Sequence, residues 1–148
     1  MTEGLEGLFG ARSIAVVGAS ERNIIARIAL ENLRTRGFPG RVFGIHPRGE
    51  PVDGIETFPS YEDAGGPADL ALLAVGAPRL EEALRSAAGA GVRSVIVPGA
   101  GSNEGGPAVW PALASAIAGT GVRALGPNCM GFASFHDRVV PYVGSIDP

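Results

Sequence analysis

Two short loops hold the residues of this chain whose types and spacing could do chemistry. The apolar run Ser13-Ile14-Ala15-Val16-Val17 enters Gly18-Ala19-Ser20, and a helical period follows from Ile24 to Arg36. A buried strand, a glycine turn and a helix start, in that order, make an anion site. The turn amides and the positive end of the helix dipole face the same point. Gly18 permits a tight turn and a close backbone approach, and Ser20 can add a hydroxyl donor or cap the helix. The second loop, Gly126-Pro127-Asn128-Cys129-Met130-Gly131, follows the short apolar run Val122 to Leu125. Both loops are therefore expected at the carboxyl edge of one parallel sheet, where such sheets bind ligands. Together they predict a long phosphorylated ligand.

The residues around these loops narrow the choice of ligand. The first turn lacks the full G-x-G-x-x-G spacing, because Ser20 and Asn23 stand at the later glycine positions. An NAD site usually places a carboxylate after the second strand to hold the ribose diol. This chain has His46-Pro47-Arg48 there. A guanidinium at that point suits a phosphate on the ribose, either the 3′-phosphate of CoA or the 2′-phosphate of NADP. A solvated surface arginine is the plain alternative for Arg48. His46 reads as a hydrogen-bonding strand-end residue rather than a catalyst. Arg22 and Arg27 are the nearest cations to the first turn. Cys129 is the only cysteine; an environment at a helix start could activate it, but free cysteines are more often small buried hydrophobes.

The elements that must position these loops alternate strand and helix. Strands are predicted at Ser13–Val17, Arg41–His46, Asp69–Val75, Arg93–Val97 and Val122–Leu125. Helices are predicted over about Asn23–Arg36, from Pro78 to about Ala88, and over about Pro107–Ala118. The first helix carries Ile25, Ile28, Ala29 and Leu33 on one face and stops at Gly37. Pro78 sits where the first turn of a helix accepts proline. Val52–Tyr61 reads as a loop ending in one helical turn, and Val139–Val143 reads as one more short strand. Each crossover is long enough for a helix and should be right-handed.

Composition bounds the rest. The 148 residues carry a formal charge of −3, with 45% hydrophobic and 18% charged residues, and the mean hydropathy is +0.21. That suits a single domain with a sheet covered on both faces. The negative charge and the absence of a basic cluster argue against nucleic acid. No apolar run reaches membrane-span length, so a cytoplasmic location and no membrane partner are expected. All twelve basic residues are arginine, which removes lysine chemistry. One cysteine excludes an internal disulfide, and no metal-ligand cluster or Walker A loop is present.

The segments Ile14–Ser20, Gly37-Phe38-Pro39-Gly40, His46-Pro47-Arg48 and Gly126–Gly131 resemble the CoA-binding domain of nucleoside-diphosphate-forming acyl-CoA synthetases, the group that includes the alpha subunit of succinyl-CoA synthetase. The likeness runs from about Leu5 to Val143. It implies coenzyme A, or acyl-CoA, as the ligand, with Gly18, Ala19, Ser20 and Arg22 at the phosphates and His46, Pro47 and Arg48 at the 3′-phosphate. It places Val75-Gly76-Ala77-Pro78 where the family packs a Val-Pro-Ala stretch on the adenosine half, although the proline is displaced here. It places Pro98–Gly105, including Glu104, near the pantetheine arm, and Asn128 and Cys129 near the thiol end. His136 lacks the glycine-rich setting of the family's phosphohistidine, so no catalytic residue is assigned. Ligase and ATP-grasp domains or subunits are implied as partners. The sequence thus predicts an α/β fold, a Rossmann-like doubly wound parallel sheet of about five strands. One CoA-binding domain spans residues 1–148, as the N-terminal part of a longer synthetase, binding but not turning over alone. A stand-alone CoA-binding regulatory module and an NADP-binding domain of an oxidoreductase are the alternatives.

Overall fold

Strand residues of this chain alternate between two buried faces, and that alternation organises the fold. The computed structural model describes residues 5–99 and 109–147. Its elements are α1 (Glu6–Phe9), β1 (Ser13–Val17), α2 (Ile24–Thr35), β2 (Arg41–Ile45), β3 (Thr57–Phe58), β4 (Leu70–Leu73), α3 (Ala77–Ala90), β5 (Ser94–Ile96), α4 (Val109–Ile117) and β6 (Arg123–Leu125). The strands form one parallel sheet in the order β3-β2-β1-β4-β5-β6. The chain builds outward one way from β1 to β3 and the other way from β4 to β6. The switch point therefore lies between β1 and β4.

On one face, Ala15, Phe43, Ala71, Leu73 and Val95 pack against Leu80, Leu84 and Ala87 of α3 and Leu113 and Ala116 of α4. On the other, Ile14, Val16, Leu70, Leu72 and Ile96 meet Ala26, Ala29, Leu30 and Leu33 of α2, Leu8 of α1, and Val139 and Val143 of the C-terminal segment. Neighbouring strand residues point to opposite faces, and both faces are covered. This is why the strands read as unbroken apolar runs.

The structure corrects the sequence at several points. The parallel doubly wound sheet is as expected, with one short edge strand added to the five read from the sequence, making six. The sixth, β3, is two residues long and sits inside the stretch read as a loop. It forms because Thr57 and Phe58 pair with Gly44 and Ile45. Gly44 leaves no room for a side chain, since a Cβ there would overlap Thr57 Oγ1. Two residues are too few to show a period. The buried stripe of α2 is also rotated: it runs Ala26, Ala29, Leu30, Leu33, while Ile24 and Ile25 are 69% and 40% exposed. The large isoleucines draw the eye in the sequence, yet the alanines are what let the helix lie close to the sheet. Residues 139–143 do not form a strand. Two isolated antiparallel bridges, Gly131 with Tyr142 and Ser134 with Val139, hold that segment instead.

Two polar clamps fasten the layers. Asp69 Oδ2 accepts from the amides of Arg12 (2.8 Å) and Ser13 (3.0 Å), and Ser13 Oγ accepts from the Asp69 amide at 2.9 Å. The starts of β1 and β4 are thereby tied. Asn32 is buried on α2 and donates to the carbonyls of Tyr142 (2.7 Å) and Gly144 (2.9 Å). Arg36 reaches the carbonyl of Ile146 at 3.0 Å.

Replacing Asn32 with leucine should strand both carbonyls without a donor. We expect a loss of about 1–3 kcal/mol in urea unfolding. The Val143 amide, which donates to the Met130 carbonyl at 2.9 Å, should exchange faster with solvent. Unchanged stability and unchanged exchange would show that the clamp does not hold the C-terminal segment.

Candidate functional site at the carboxyl edge

The residues that leave β1, β2 and β4 meet at one corner of the sheet. The Gly18 amide donates to the Ile45 carbonyl at 2.8 Å, and the Ala74 amide donates to the Val17 carbonyl at 2.9 Å. The turn after β1 is thus flanked by His46 on one side and Val75 on the other. Gly18 has φ +86°, and a Cβ there would overlap the Ala74 carbonyl oxygen. Only glycine satisfies both the dihedral and the approach.

Asn23 fixes the turn. Its Nδ2 donates to the carbonyls of Gly18 (2.8 Å) and Ala74 (2.7 Å), and its Oδ1 accepts from the Ala26 amide at 3.2 Å. Asn23, not Ser20, is therefore the N-cap of α2. The sequence showed Asn23 only as a missing glycine, although an asparagine just before an apolar helix is itself a cap signal. Ser20 is half-buried, and its carbonyl accepts from the Asn23 amide at 3.0 Å. Among the described residues, no side chain or carbonyl takes the amides of Ala19, Ser20, Ile24 or Ile25. They form an open donor set where α2 begins. A second helix starts beside it. Gly76 is the N-cap of α3 with no side-chain cap, Pro78 lies in the first turn, and Val75 packs partly into the core.

The cations divide into committed and free. Arg27 is committed: it makes a two-pronged pair with Asp53 at 3.1 and 3.2 Å, and Glu21 lies 3.7 Å away. Its hydrogen bond holds the Asp53 carboxyl below the ordinary range. Of the two arginines nearest the first turn, this leaves exposed Arg22 without an ion pair among the described residues. Arg48 is exposed and has only a long contact to Glu50, 3.8 Å. Pro47 is exposed in a tight turn closed by the Gly49 amide, which donates to the His46 carbonyl at 2.9 Å, and the Arg48 amide donates to His46 Nδ1 at 3.2 Å. An accepting Nδ1 requires a neutral ring with the proton on Nε2. Consistently, burial first, and then the Arg48 charge, push the His46 imidazole below its ordinary value.

The second loop lies farther along the same edge. Gly126 has φ +105°, and a Cβ there would overlap the Val97 carbonyl oxygen. The Asn128 amide donates to the Gly99 carbonyl at 2.9 Å, and the Asn128 side chain is exposed. Cys129 Sγ lies 3.5 Å from the carbonyls of both Val97 and Leu125 and packs on the core. A thiol that donates to backbone carbonyls is a structural group. Four strand spacings separate β2 from β6, roughly 19 Å. Gly18, His46 and Val75 therefore form one cluster, and Asn128 lies at a distance that only an extended ligand would bridge. Of the loop Pro98–Gly105, residues 100–105 with Glu104 lie outside the described residues.

Comparison with known proteins identifies the family. The family described as "CoA binding domain" matches residues 12–134. The chain is 30% identical over 137 residues to the alpha subunit of the ADP-forming acetate–CoA ligase II of Pyrococcus furiosus, covering 89% of this chain and 30% of that one. It is 28% identical over 139 residues to a trans-feruloyl-CoA synthase from an unknown prokaryote, covering 91% of this chain and 20% of that one. In structure it is similar to the dinucleotide-forming acetyl-coenzyme A synthetase 1 of Ca. Korarchaeum cryptofilum, with TM-score 0.88, 31% identity, and coverage of 97% of this chain and 32% of that one. The chain thus spans between a fifth and a third of the length of these relatives.

Two outcomes follow from the site geometry. Asn23→Ala removes the cap and both clamp bonds and should cost about 2 kcal/mol in chemical denaturation. Asn23→Ser should recover only the share due to the cap. Equal stability of Asn23→Ala and the parent chain would mean the clamp is idle. For His46, proton resonances followed against pH should show a midpoint below 6.5. Because the folded value is depressed, its contribution to stability is present above 6.5 and is lost as the pH falls through the folded midpoint. A midpoint at or above 6.5 would contradict the neutral, Nδ1-accepting ring.

Proposed function

Because the chain belongs to the family of CoA binding domains, we propose that it holds CoA along the carboxyl edge of the sheet, as the CoA-presenting part of an acid–thiol ligase. The pyrophosphate lies on the open amides of Ala19, Ser20 and the first turn of α2, with Arg22 as the nearest uncommitted cation. The 3′-phosphate lies at Arg48, beside His46 and Pro47. Val75, Gly76, Ala77 and Pro78 border the adenosine. The pantetheine arm runs across the ends of β4 and β5, and the thiol arrives near Asn128 and Cys129.

The observation that carries this reading is the open donor set after Gly18, flanked on the β2 side by the exposed Arg48 guanidinium, whose one ion-pair contact, to Glu50, is long at 3.8 Å. Helix-start amides hold phosphates through aligned dipoles, and a guanidinium adds a two-pronged contact where charge is densest. An oxidoreductase reading with NADP would share the phosphates. It lacks support at the reacting end, where Asn128 and a carbonyl-bound Cys129 offer no acid or base for hydride transfer.

In the ligase, the CoA sulfur would attack the carbonyl of an acyl phosphate. The carbon–oxygen bond to phosphate would break, and the thiol proton would leave to solvent. This chain contributes binding and orientation. The acyl phosphate would come from ligase and ATP-grasp domains or subunits, and the chain itself would form the N-terminal domain of such an enzyme in the cytoplasm. Among the described residues no helix is long and apolar enough to cross a membrane.

Calorimetry with CoA and dephospho-CoA tests the assignment. The parent chain should bind CoA more tightly. Arg48→Ala should weaken CoA by about 1–3 kcal/mol and leave dephospho-CoA nearly unchanged. Equal losses for both ligands would remove Arg48 from the 3′-phosphate. No CoA binding by the parent chain would overturn the site.

A further inference from the structure

The edge opposite the CoA site carries a second cluster of unspent donors. Arg12 precedes β1, Arg93 precedes β5 and Arg123 opens β6. All three line one concavity of about 910 Å³ at the amino edge of the sheet. Six of the twelve arginines are spent: Arg27, Arg34, Arg48 and Arg85 in ion pairs, and Arg36 and Arg41 on backbone carbonyls. Of the six others, three share this concavity. Among the described residues, none of their side chains donates to a protein acceptor. Each guanidinium brings five N–H donors in a fixed fork.

The acidic residues of the concavity do not match this supply. Asp69 turns one oxygen to the amides of Arg12 and Ser13 and to Ser13 Oγ. Glu6 lines the opening, with no ion pair among the described residues. The floor is built. Ser94 is 1% exposed, and its Oγ lies so close under Gly7 that a side chain on Gly7 would collide with it. Gly91 and Gly121, both with positive φ, add no side chains to a lining that Pro67 and Thr120 share with them.

Register sets the spacing of the cations. Ser94 pairs with Arg123 across β5 and β6, and β4 alone separates β1 from β5. Arg93 and Arg123 therefore stem from strands roughly 5 Å apart, and Arg12 from one about 10 Å from β5. One pair can grip a single anionic group while the third cation takes another.

We propose that this concavity is a second ligand site, for a small molecule carrying at least two phosphoryl or carboxylate groups. It lies at the far edge of the sheet from the CoA loops and does not depend on the CoA assignment.

Amide and arginine Nε–Hε resonances of the whole chain, titrated with tripolyphosphate and separately with citrate at low salt, test the proposal. At least one anion should give saturable shifts at Arg12, Ser94, Gly121 and Arg123, and the stronger of the two identifies the phosphoryl or the carboxylate class. The Arg93→Gln/Arg123→Gln variant should bind that anion about tenfold more weakly or worse. Its affinity for CoA, where the parent binds CoA, should stay within about twofold, as for distant independent sites. Arg48→Ala should leave these shifts in place. Shifts confined to Gly18–Arg22 and Arg48, no saturable shift with either anion, or unchanged affinity in the double variant would overturn the proposal.

Discussion

One side chain holds the working corner of this domain together. Asn23 bonds two strand-end carbonyls, those of Gly18 and Ala74, and also caps α2. The carbonyls belong to the turns after β1 and β4, the two strands at the switch point. With Asn23 in place, the turn cannot drift from the sheet and the helix cannot start elsewhere. The amides of Ala19, Ser20, Ile24 and Ile25 are then left with no partner among the described residues. An anion site made of backbone needs this kind of support, because amides have no side-chain freedom with which to correct a misplaced turn.

The same device recurs at the other end of the edge. Gly18 lies against the Ala74 carbonyl and Gly126 lies against the Val97 carbonyl, each with a positive φ. In both places a chain leaving one strand crosses directly over the end of its neighbour, where a β-carbon would not fit. The cysteine of the second crossing lies against the carbonyls of Val97, just past β5, and Leu125 of β6. It therefore helps build the crossing, which leaves Asn128 as the exposed polar side chain of that loop.

Much of this was legible in the sequence, for identifiable reasons. The order of strands and helices, the parallel sheet and the two glycine turns followed from unbroken apolar runs and from glycines at their ends. Two-residue β3 left no period to detect. The face read for α2 shares Ala29 and Leu33 with the buried stripe, but Ile25 and Ile28 lie to one side of it and Ala26 and Leu30 take their place, a rotation that a count of hydrophobic residues does not resolve. Asn23 was visible as a residue but not as a clamp, since its second partner, Ala74, lies 51 positions away. The commitment of Arg27 to Asp53 was hidden for the same reason. Its partner sits in the Val52–Ile55 turn, and nothing local links the two segments.

The polarity of a parallel α/β sheet also explains why its cations fall where they do. Every helix that follows a strand begins at the carboxyl edge and ends at the amino edge. Roughly half a positive charge therefore collects near Gly18 and Gly76, and a comparable negative charge near Gly91 and Gly119. Phosphates can be held at the first edge with few side-chain cations, and Arg27 is free to be spent on Asp53. At the second edge, Arg93 and Arg123 follow the ends of α3 and α4, where a cation gains about 0.3–1 kcal/mol from the helix. An exposed guanidinium stays charged without a carboxylate partner, and the helix end adds only that modest attraction. It holds the charge there without consuming the N–H donors, because the field of a helix end takes no hydrogen bond from a guanidinium that does not touch its carbonyls. The same helix ends oppose an incoming anion, so at this edge the guanidinium groups themselves, rather than the backbone field, would have to hold it.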